Sequence, residues 1–284
     1  MEIHQVNTKQ GLQWLLSGFY LFRRAPLSWV LVCGALFLIA ISTALIPLVG
    51  SFIFTLVYPA LMGGIMQGCR ALEEGKPLEI THLFSAAESN FAALITIGGI
   101  YLTGLILISG LAALIGGPAM TDMLLYGKRV DESQLMGVAS SMLTSLLIVL
   151  TLSIPLMMAS WFAPMLVVFH KMPPVMAMQQ SLLACLRNLI PLLLFLITST
   201  ILVIICALPY GAGLVILIPT MYAAMYVSYK DIFLGEPIRF KDHGTQDTPN
   251  HWHNAQEPPQ KSEHDEKPTE DVIPQNNDSD SKSK

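Results

Sequence analysis

The sequence has few charged residues, and its long apolar runs contain none. Asp, Glu, Lys and Arg make up 13% of the 284 residues, whereas 53% are hydrophobic and the mean hydropathy is +0.55. Soluble domains carry roughly 25% charged residues. An ionisable side chain at the centre of a bilayer marks a proton relay, an ion path or a counter-ion site. The absence of such residues from the apolar runs argues against an ion-coupled pump.

Catalytic and metal-binding motifs are missing as well. The sequence contains no P-loop, HExxH, GxSxG or paired-carboxylate signature. His251 and His253 flank a tryptophan near the C-terminus, but two imidazoles without a fixed third ligand make a weak metal site. We therefore expect a non-enzymatic protein with no catalytic, cofactor-binding or metal-binding residues and no nucleic-acid partner.

Cysteine is scarce, and no CxxC motif occurs. Cys33, Cys69, Cys185 and Cys206 lie in or beside apolar runs, where we expect them to act as small buried hydrophobic residues. We expect no cleavable signal peptide, because the first long apolar run begins near residue 25 and is too long for one.

The sequence does contain a series of long apolar runs that predict membrane spans. One crossing takes roughly 20 residues of helix. The predicted spans cover residues of about 26–46, 48–69, 91–114, 142–170, 189–208 and 210–229. The fourth run exceeds one straight crossing, and Pro155 and Pro164 predict a kink in it. The predicted fold is all-α, a six-span transmembrane helix bundle within residues 1–242.

An amphipathic segment precedes each pair of spans. These segments cover residues 8–24, 78–90 and 174–187. Such a helix either lies in the headgroup plane, with its cations on anionic lipid, or packs under the bundle. Both alternatives stay open, and either way the bundle is predicted to consist of three hairpins, each led by an interfacial helix. In the first segment, the apolar residues at helical spacing are Leu12, Leu15, Leu16, Phe19 and Phe22.

The distribution of cations predicts the orientation of the bundle. If the N-terminus is cytoplasmic, ten Lys and Arg residues flank the spans on the cytoplasmic side, and only Lys128 and Arg129 lie on the other side. This positive-inside bias predicts that both termini and all three amphipathic helices are cytoplasmic. The ten residues are Lys9, Arg23, Arg24, Arg70, Lys76, Lys171, Arg187, Lys230, Arg239 and Lys241.

Three prolines suggest an internal repeat. Pro59, Pro164 and Pro219 each lie inside the second span of a predicted hairpin. Pro59 precedes Pro77 by 18 residues, and Pro219 precedes Pro237 by the same 18. The middle hairpin fits less well because its outer loop is longer, and chance spacing is the alternative to a repeat.

If the three prolines are equivalent, their kinks converge on a hollow that opens inward. We expect this hollow to be lined by Tyr58, Trp161 and Phe162, and by small residues near Gly63 and Ala223. A tightly packed centre would instead favour a scaffold.

The C-terminal segment, residues 243–284, differs in composition from the preceding chain. It holds 4 Lys and Arg against 9 Asp and Glu, a net charge of −5, whereas residues 1–242 hold 12 against 11. With few apolar residues it cannot form a core, so we predict a disordered, acidic cytoplasmic tail.

Two short stretches carry a resemblance to known proteins: Trp161-Phe-Ala-Pro164, and the segment from Ser181 to Asn188, SLLACLRN. Through them the chain resembles an uncharacterised family of proteobacterial multi-pass inner-membrane proteins. The repeated hairpin, over about residues 8–240, is remotely similar to the membrane domain of glycerophosphodiester phosphodiesterases. The catalytic domain of those enzymes is missing, so the resemblance implies a fold and an inner-membrane location without an activity.

Two functions fit these observations. The first is a non-enzymatic protein that organises or senses the membrane or scaffolds partners, binding membrane lipids and, through its cytoplasmic helices and tail, other proteins. The alternative is a transporter or flippase-like conduit for an apolar or amphiphilic substrate, with the proline-kinked spans as its moving parts. The absence of buried charge favours the first, and the repeated prolines support the second. An enzyme that acts on lipid is a more distant possibility.

Overall fold

Helices account for every regular element in the part of the chain that the structure describes. The computed structural model describes residues 2–47, 49–126 and 135–236, and side chains are described outside residues 117–138. The predicted tail and His251 and His253 lie outside these ranges. The helices are α1 (Gln10–Arg24), α2 (Pro26–Ala44), α3 (Val49–Glu73), α4 (His82–Tyr126), α5 (Leu135–Trp161), α6 (Ala163–His170), α7 (Pro174–Arg187), α8 (Leu189–Ala207) and α9 (Leu214–Tyr229). A π-helical turn, Lys230–Leu234, follows α9.

Five segments of the described chain are long and apolar enough to cross a membrane. They are Pro26–Ala44, Val49–Glu73, His82–Gly116, Ala139–His170 and Leu189–Ala207. They match the first five predicted spans.

The sixth predicted span is shorter than expected, because α9 begins at Leu214 rather than at Tyr210. Tyr210 and Gly211 adopt positive φ values of 52° and 78°, so the chain is still turning there. The 16 residues of α9 extend about 24 Å at the rise of an α-helix. This is less than the roughly 30 Å of a hydrocarbon core.

The predicted second amphipathic segment and the third span are one continuous helix, α4. Residues 82–97 contain neither glycine nor proline, so nothing in the chain separates the two segments. At its other end α4 continues to Tyr126, beyond residue 114, where the third predicted span ends. The strong helix formers of Met123-Leu-Leu125 favour this extension. Residues 127–134 lie outside the described ranges.

The kink predicted at Pro164 is a break between two helices. Phe162 separates α5 from α6, because the proline ring displaces the carbonyl one turn earlier. The Phe162 N–H donates to Ser181 Oγ of α7 at 2.9 Å, and Ser181 Oγ donates to the Met158 carbonyl at 2.7 Å. One α7 hydroxyl thus bridges the break. Pro155, in contrast, lies within α5 without ending it.

Helices α3, α6 and α9 end on the same side of the bundle, which we call the base. Lys230, next after α9, contacts Glu73 at the end of α3, with Nζ 2.6 Å from Oε1. His170, the last residue of α6, lies with Nε2 2.6 Å from the hydroxyl of Tyr229, the last residue of α9. The three helices therefore converge at the base.

Each predicted amphipathic segment packs against one of these helices or its neighbour. The start of α4 packs on α3, α7 packs on α5 and α6, and α1 packs on α9 and α8. Two glycines permit the close approach. A Cβ at Gly64 would lie 2.4 Å from the Leu83 carbonyl oxygen, and one at Gly18 would lie 2.6 Å from the Thr220 carbonyl oxygen.

The apolar surface of α1 is divided between the bundle and the outside. Trp14, Leu15 and Phe22 are buried, whereas Leu12 and Leu16 are exposed. The prediction that the five apolar residues share a single face is therefore wrong. The side of α1 that packs on the bundle is the one that carries Trp14 and Gly18. Phe19 is 40% exposed and belongs to the outer face.

The contact at Gly18 generates a test of how α1 docks. Replacing Gly18 with Ala places a methyl group against the backbone of Thr220 and Ala224, which we expect to destabilise the fold by about 1–3 kcal/mol. The midpoint of thermal unfolding in detergent should fall.

The matched control is Gly34→Ala in α2, where a Cβ meets no atom within 4 Å. Its midpoint should stay unchanged or rise slightly, because Ala favours a helix over Gly. Equal midpoints for the two variants would contradict the docking of α1 on α9.

Candidate functional site

A cavity of about 510 Å³ lies at the centre of the bundle. Side chains from α3, α4, α5, α6, α8 and α9 surround it, with Trp161 at the end of α5. The lining residues are Phe54, Thr55, Tyr58, Pro59, Met62, Ile97, Tyr101, Met157, Ser160, Trp161, Pro164, Phe195, Ile218, Met221, Tyr222 and Met225. No charged residue is among them. The cavity falls in the size range of small-molecule sites.

The prolines singled out by the repeat are at or next to this cavity. Pro59 and Pro164 line it directly. Pro219 is buried, and its neighbours Ile218 and Met221 form part of the lining. A proline inside a helix keeps the following turn from closing tightly on the preceding one. The three prolines thus lie at or beside one common space.

The predicted hollow is correct for two of its aromatic residues and wrong for the third. Tyr58 and Trp161 line the cavity, but Phe162 does not. Phe162 is fully buried, with its ring edge-on to Phe233 at a centroid distance of 5.5 Å. It points away because the break at Pro164 turns it toward the base.

The predicted small residues are also absent from the lining. A Cβ at Gly63 would lie 2.8 Å from the Val168 side chain, so this glycine serves helix packing. Ala223 is fully buried. Methionines take their place: Met62, Met157, Met221 and Met225. Their flexible thioethers adapt to ligands of irregular shape, which small rigid residues do not.

Hydroxyl groups supply the polarity of the cavity. The Tyr58 and Tyr222 side chains interact with each other in the lining. Thr55, Tyr101 and Ser160 also contribute to the lining. Such a surface suits an apolar molecule with few hydrogen-bonding groups, and it offers no counter-ion for a charged one.

A polar and aromatic cluster at the base lies below the cavity. It consists of Glu73, His170, Tyr226, Tyr229 and Lys230, which we call the base cluster. Tyr226 donates a hydrogen bond to Glu73 Oε2 at 2.7 Å, while Lys230 contacts the other oxygen of the same carboxylate at 2.6 Å. The Lys230 and Glu73 side chains are 13% and 25% exposed, so this ion pair is largely shielded from water.

Aromatic rings fill the space around the ion pair. The Phe169 ring lies edge-on to Tyr226 at a centroid distance of 6.2 Å, and it is tilted relative to Tyr229 at a centroid distance of 5.4 Å. The Arg70 guanidinium lies 5.7 Å from the centroid of the Phe169 ring, a cation–π distance. The base therefore holds its charges and its rings in one packed layer.

The charged side chains beside the base cluster are exposed to water, unlike the ion pair of Glu73 and Lys230. The Lys76 ammonium and the Arg70 guanidinium hydrogen-bond to Glu74 and lower the pKa of its carboxyl. Their side chains are well exposed, so this pairing contributes little to stability.

Three hydrogen bonds that sequence reasoning missed hold the N-terminal part of the chain to the base. Trp14 Nε1 of α1 donates to Asp231 Oδ2 at 2.8 Å, and burial raises the pKa of the Asp231 carboxyl above its usual value. The Asn188 side chain accepts from the Val6 N–H at 2.9 Å and donates to the His4 carbonyl at 3.0 Å. A polar residue directly before an apolar run is the sequence signal that could have pointed to Asn188.

The cysteines are unpaired, and two of them are buried as predicted. Cys69 and Cys185 lie in the core, whereas Cys33 and Cys206 are half-buried. Among the described residues, no group of three His, Cys, Asp or Glu side chains is placed to hold a metal ion.

Apolar helices long enough to cross a bilayer, packed around a central cavity, define an α-helical membrane protein of several spans. The chain belongs to the same family as a probable inner membrane protein of Burkholderia thailandensis. The two are 30% identical over 198 residues, which cover 66% of this chain and 71% of the relative. The chain is thus an inner membrane protein.

No protein-family model matches the chain, and no solved structure matches it. The remote similarity to the membrane domain of glycerophosphodiester phosphodiesterases is not shown by these comparisons and stays a prediction.

The shielded ion pair in the base cluster generates a prediction about stability. Among the described residues, Lys230→Met leaves the Glu73 carboxylate with the Tyr226 hydroxyl as its hydrogen-bond partner. We expect the free energy of unfolding to fall by about 1–3 kcal/mol, which lowers the thermal midpoint in detergent. The double variant Glu73→Leu with Lys230→Met should recover part of this stability, since no unpaired charge then stays buried.

The exposed pair of Arg70 and Glu74 provides the matched control. Glu74→Gln removes the charge that pairs with Arg70 at 3.1 Å and with Lys76 at 2.7 Å, among side chains that are 42–68% exposed. The midpoint should barely change. An equal effect of Lys230→Met and Glu74→Gln would show that the base cluster does not hold the helices together.

Proposed function

We propose that this membrane protein receives an apolar or amphiphilic molecule in its central cavity and acts as a non-enzymatic transporter or flippase-like conduit. The cavity of about 510 Å³ between the proline-kinked helices is the observation that carries the proposal. A protein that only scaffolds partners has no use for an open centre. Such a centre also leaves packing interactions unmade, so a function is the simplest reason to keep it.

The proposal includes a six-span topology with both termini in the cytoplasm. Contacts at the base support it for the first pair of spans: Arg24, before α2, donates to the Leu72 carbonyl near the end of α3 at 3.4 Å. Contacts at the base support the topology for the last pair of spans too. Asn188, before α8, donates to the His4 carbonyl, and the His4 N–H donates to the Ile232 carbonyl, after α9, at 2.9 Å.

The middle pair also leaves from the base and returns to it. The start of α4 packs on the final half of α3, at Gly64, and α6 ends at His170 in the base cluster. Three pairs that each begin and end at one side make six crossings. The short α9 then crosses within the bundle, where it is packed against α1, α2 and α3 rather than fully exposed to lipid.

The chemistry of the lining supports an apolar or amphiphilic ligand. Aromatic and methionine side chains dominate it, and its polar groups are hydroxyls. The methionines allow different chains to fit, while Tyr58 and Tyr222 can hydrogen-bond to an ester or hydroxyl of the ligand.

A second candidate function, the organisation or sensing of the membrane, is favoured by the outer faces of the amphipathic helices. Leu12 and Leu16 of α1, and Val175 and Leu186 of α7, are 45–58% exposed. Cations follow at the ends of both helices, Arg23, Arg24 and Arg187. A helix with an apolar outer face and terminal cations suits the surface of an anionic leaflet.

The topology is tested by reporter fusions along the chain. Fusions at residues 46–48, 125 and 210 should report the periplasm, and fusions at 75, 173 and 245 the cytoplasm, because the cations lie beside the second group. A periplasmic signal at 75, 173 or 245 would break the six-span topology.

The cavity is tested by filling it. Met221→Trp adds a large ring to the lining, and we expect it to displace a bound amphiphile by overfilling the space. Native mass spectrometry should find one phospholipid or detergent molecule that stays on the wild-type protein after the others are stripped. Met221→Trp should lose that molecule.

Met176→Trp on α7 is the control, since Met176 is 49% exposed and outside the lining. It should retain the molecule as the wild type does. Equal retention by Met221→Trp and the wild type would refute binding in the cavity.

A further inference from the structure

The central cavity has a mouth on the side of the bundle, between α5 and α9. Met157 of α5 and Ile218 of α9 both line the cavity, yet they are 45% and 44% exposed. Within the described residues, α5 does not pack along α8 or α9, whereas it packs closely on α4 and α7. The lining is thus open between these two helices.

The surface around this mouth is apolar. Leu150 and Ile154 on α5 are 54% and 49% exposed, and Val215 on α9 is 52% exposed. No Asp, Glu, Lys, Arg or His lies in α5 from residue 139 onward or in α9. In a bilayer, helices with such surfaces face hydrocarbon chains. Lipid chains, rather than water, therefore adjoin the mouth.

Among the described residues, the base offers no comparable opening. Met66 and Cys69 of α3 and Leu166 of α6 are fully buried between the cavity and the base, and Tyr226 and Tyr229 are 3% and 2% exposed. The base cluster then closes the layer with its ion pair. A molecule dissolved in water at the base would have to disrupt this packing to reach the cavity.

We propose that the cavity takes up a hydrocarbon chain of a membrane lipid, which enters sideways through the mouth between Met157 and Ile218. This inference rests on the proposed binding of an amphiphile in the cavity. The lining has no charged residue, so the chain occupies the cavity while the charged headgroup stays outside the mouth. The protein then recognises the acyl part of a lipid and tolerates different headgroups.

The test uses a phospholipid with a photoreactive diazirine in its acyl chain, mixed into vesicles that contain the full-length protein. After illumination, peptide mass spectrometry locates the label. In the wild type we expect it at Met157 and Ile218 and, inside the cavity, near Met62 and Tyr222. The double variant Met157→Trp with Ile218→Trp should reduce the label inside the cavity about tenfold, because the rings fill the mouth.

The matched control is the double variant Leu152→Trp with Ile216→Trp. Both residues lie on the same two helices, are 40% and 47% exposed, and are outside the lining. This variant should be labelled inside the cavity like the wild type. Undiminished cavity labelling in the mouth variant would overturn the sideways path. If that variant does not accumulate, the wild-type pattern decides, since label at the base cluster without label at the mouth would overturn it too.

A second probe, a short-chain diazirine alcohol added from water, separates this inference from the proposed function. Cavity labelling by the alcohol but not by the lipid would overturn the uptake of a lipid chain and leave an amphiphile-binding cavity in place. Labelling by neither probe would remove both. Labelling by the lipid at the mouth and in the cavity supports both.

Discussion

A proline inside a membrane-spanning helix leaves a backbone carbonyl without its usual partner, and the bundle is arranged around three of them. In hydrocarbon such a group must be satisfied by the protein itself. Near Pro164, Ser181 of α7 bridges the break between α5 and α6, because its hydroxyl accepts the Phe162 N–H and donates to the Met158 carbonyl, two groups that an unbroken helix would join directly. The cavity lies beside these prolines, and Pro59 and Pro164 form part of its wall.

Uncharged and charged side chains lie at different levels of the bundle. The cavity has an uncharged lining of aromatic, methionine and hydroxyl side chains, whereas the ion pair of Glu73 and Lys230 and the contact of Trp14 with Asp231 lie at the base. Contacts at the base join the ends of α3, α6 and α9 and keep that side closed.

The sequence predicted the apolar helices and the proline positions because both follow from local composition and spacing. It did not reveal that α4 is continuous, since a predicted boundary between amphipathic and apolar segments need not interrupt the backbone. Contacts such as Asn188 with Val6 and Trp14 with Asp231 join residues 182 and 217 positions apart. The periodicity of a sequence does not predict such distant pairs. The cavity was predicted from Pro59, Pro164 and Pro219, but its methionine lining depends on helix rotation, which kinks alone do not determine.

The most direct test of the central claim is a cryo-electron microscopy map of the protein in a lipid nanodisc. The account predicts an elongated density in the cavity beside Met62, Trp161 and Tyr222, continuous with the surrounding lipid between Met157 and Ile218. A centre filled by the side chains of α3, α6 and α9, with no space between them, would contradict it.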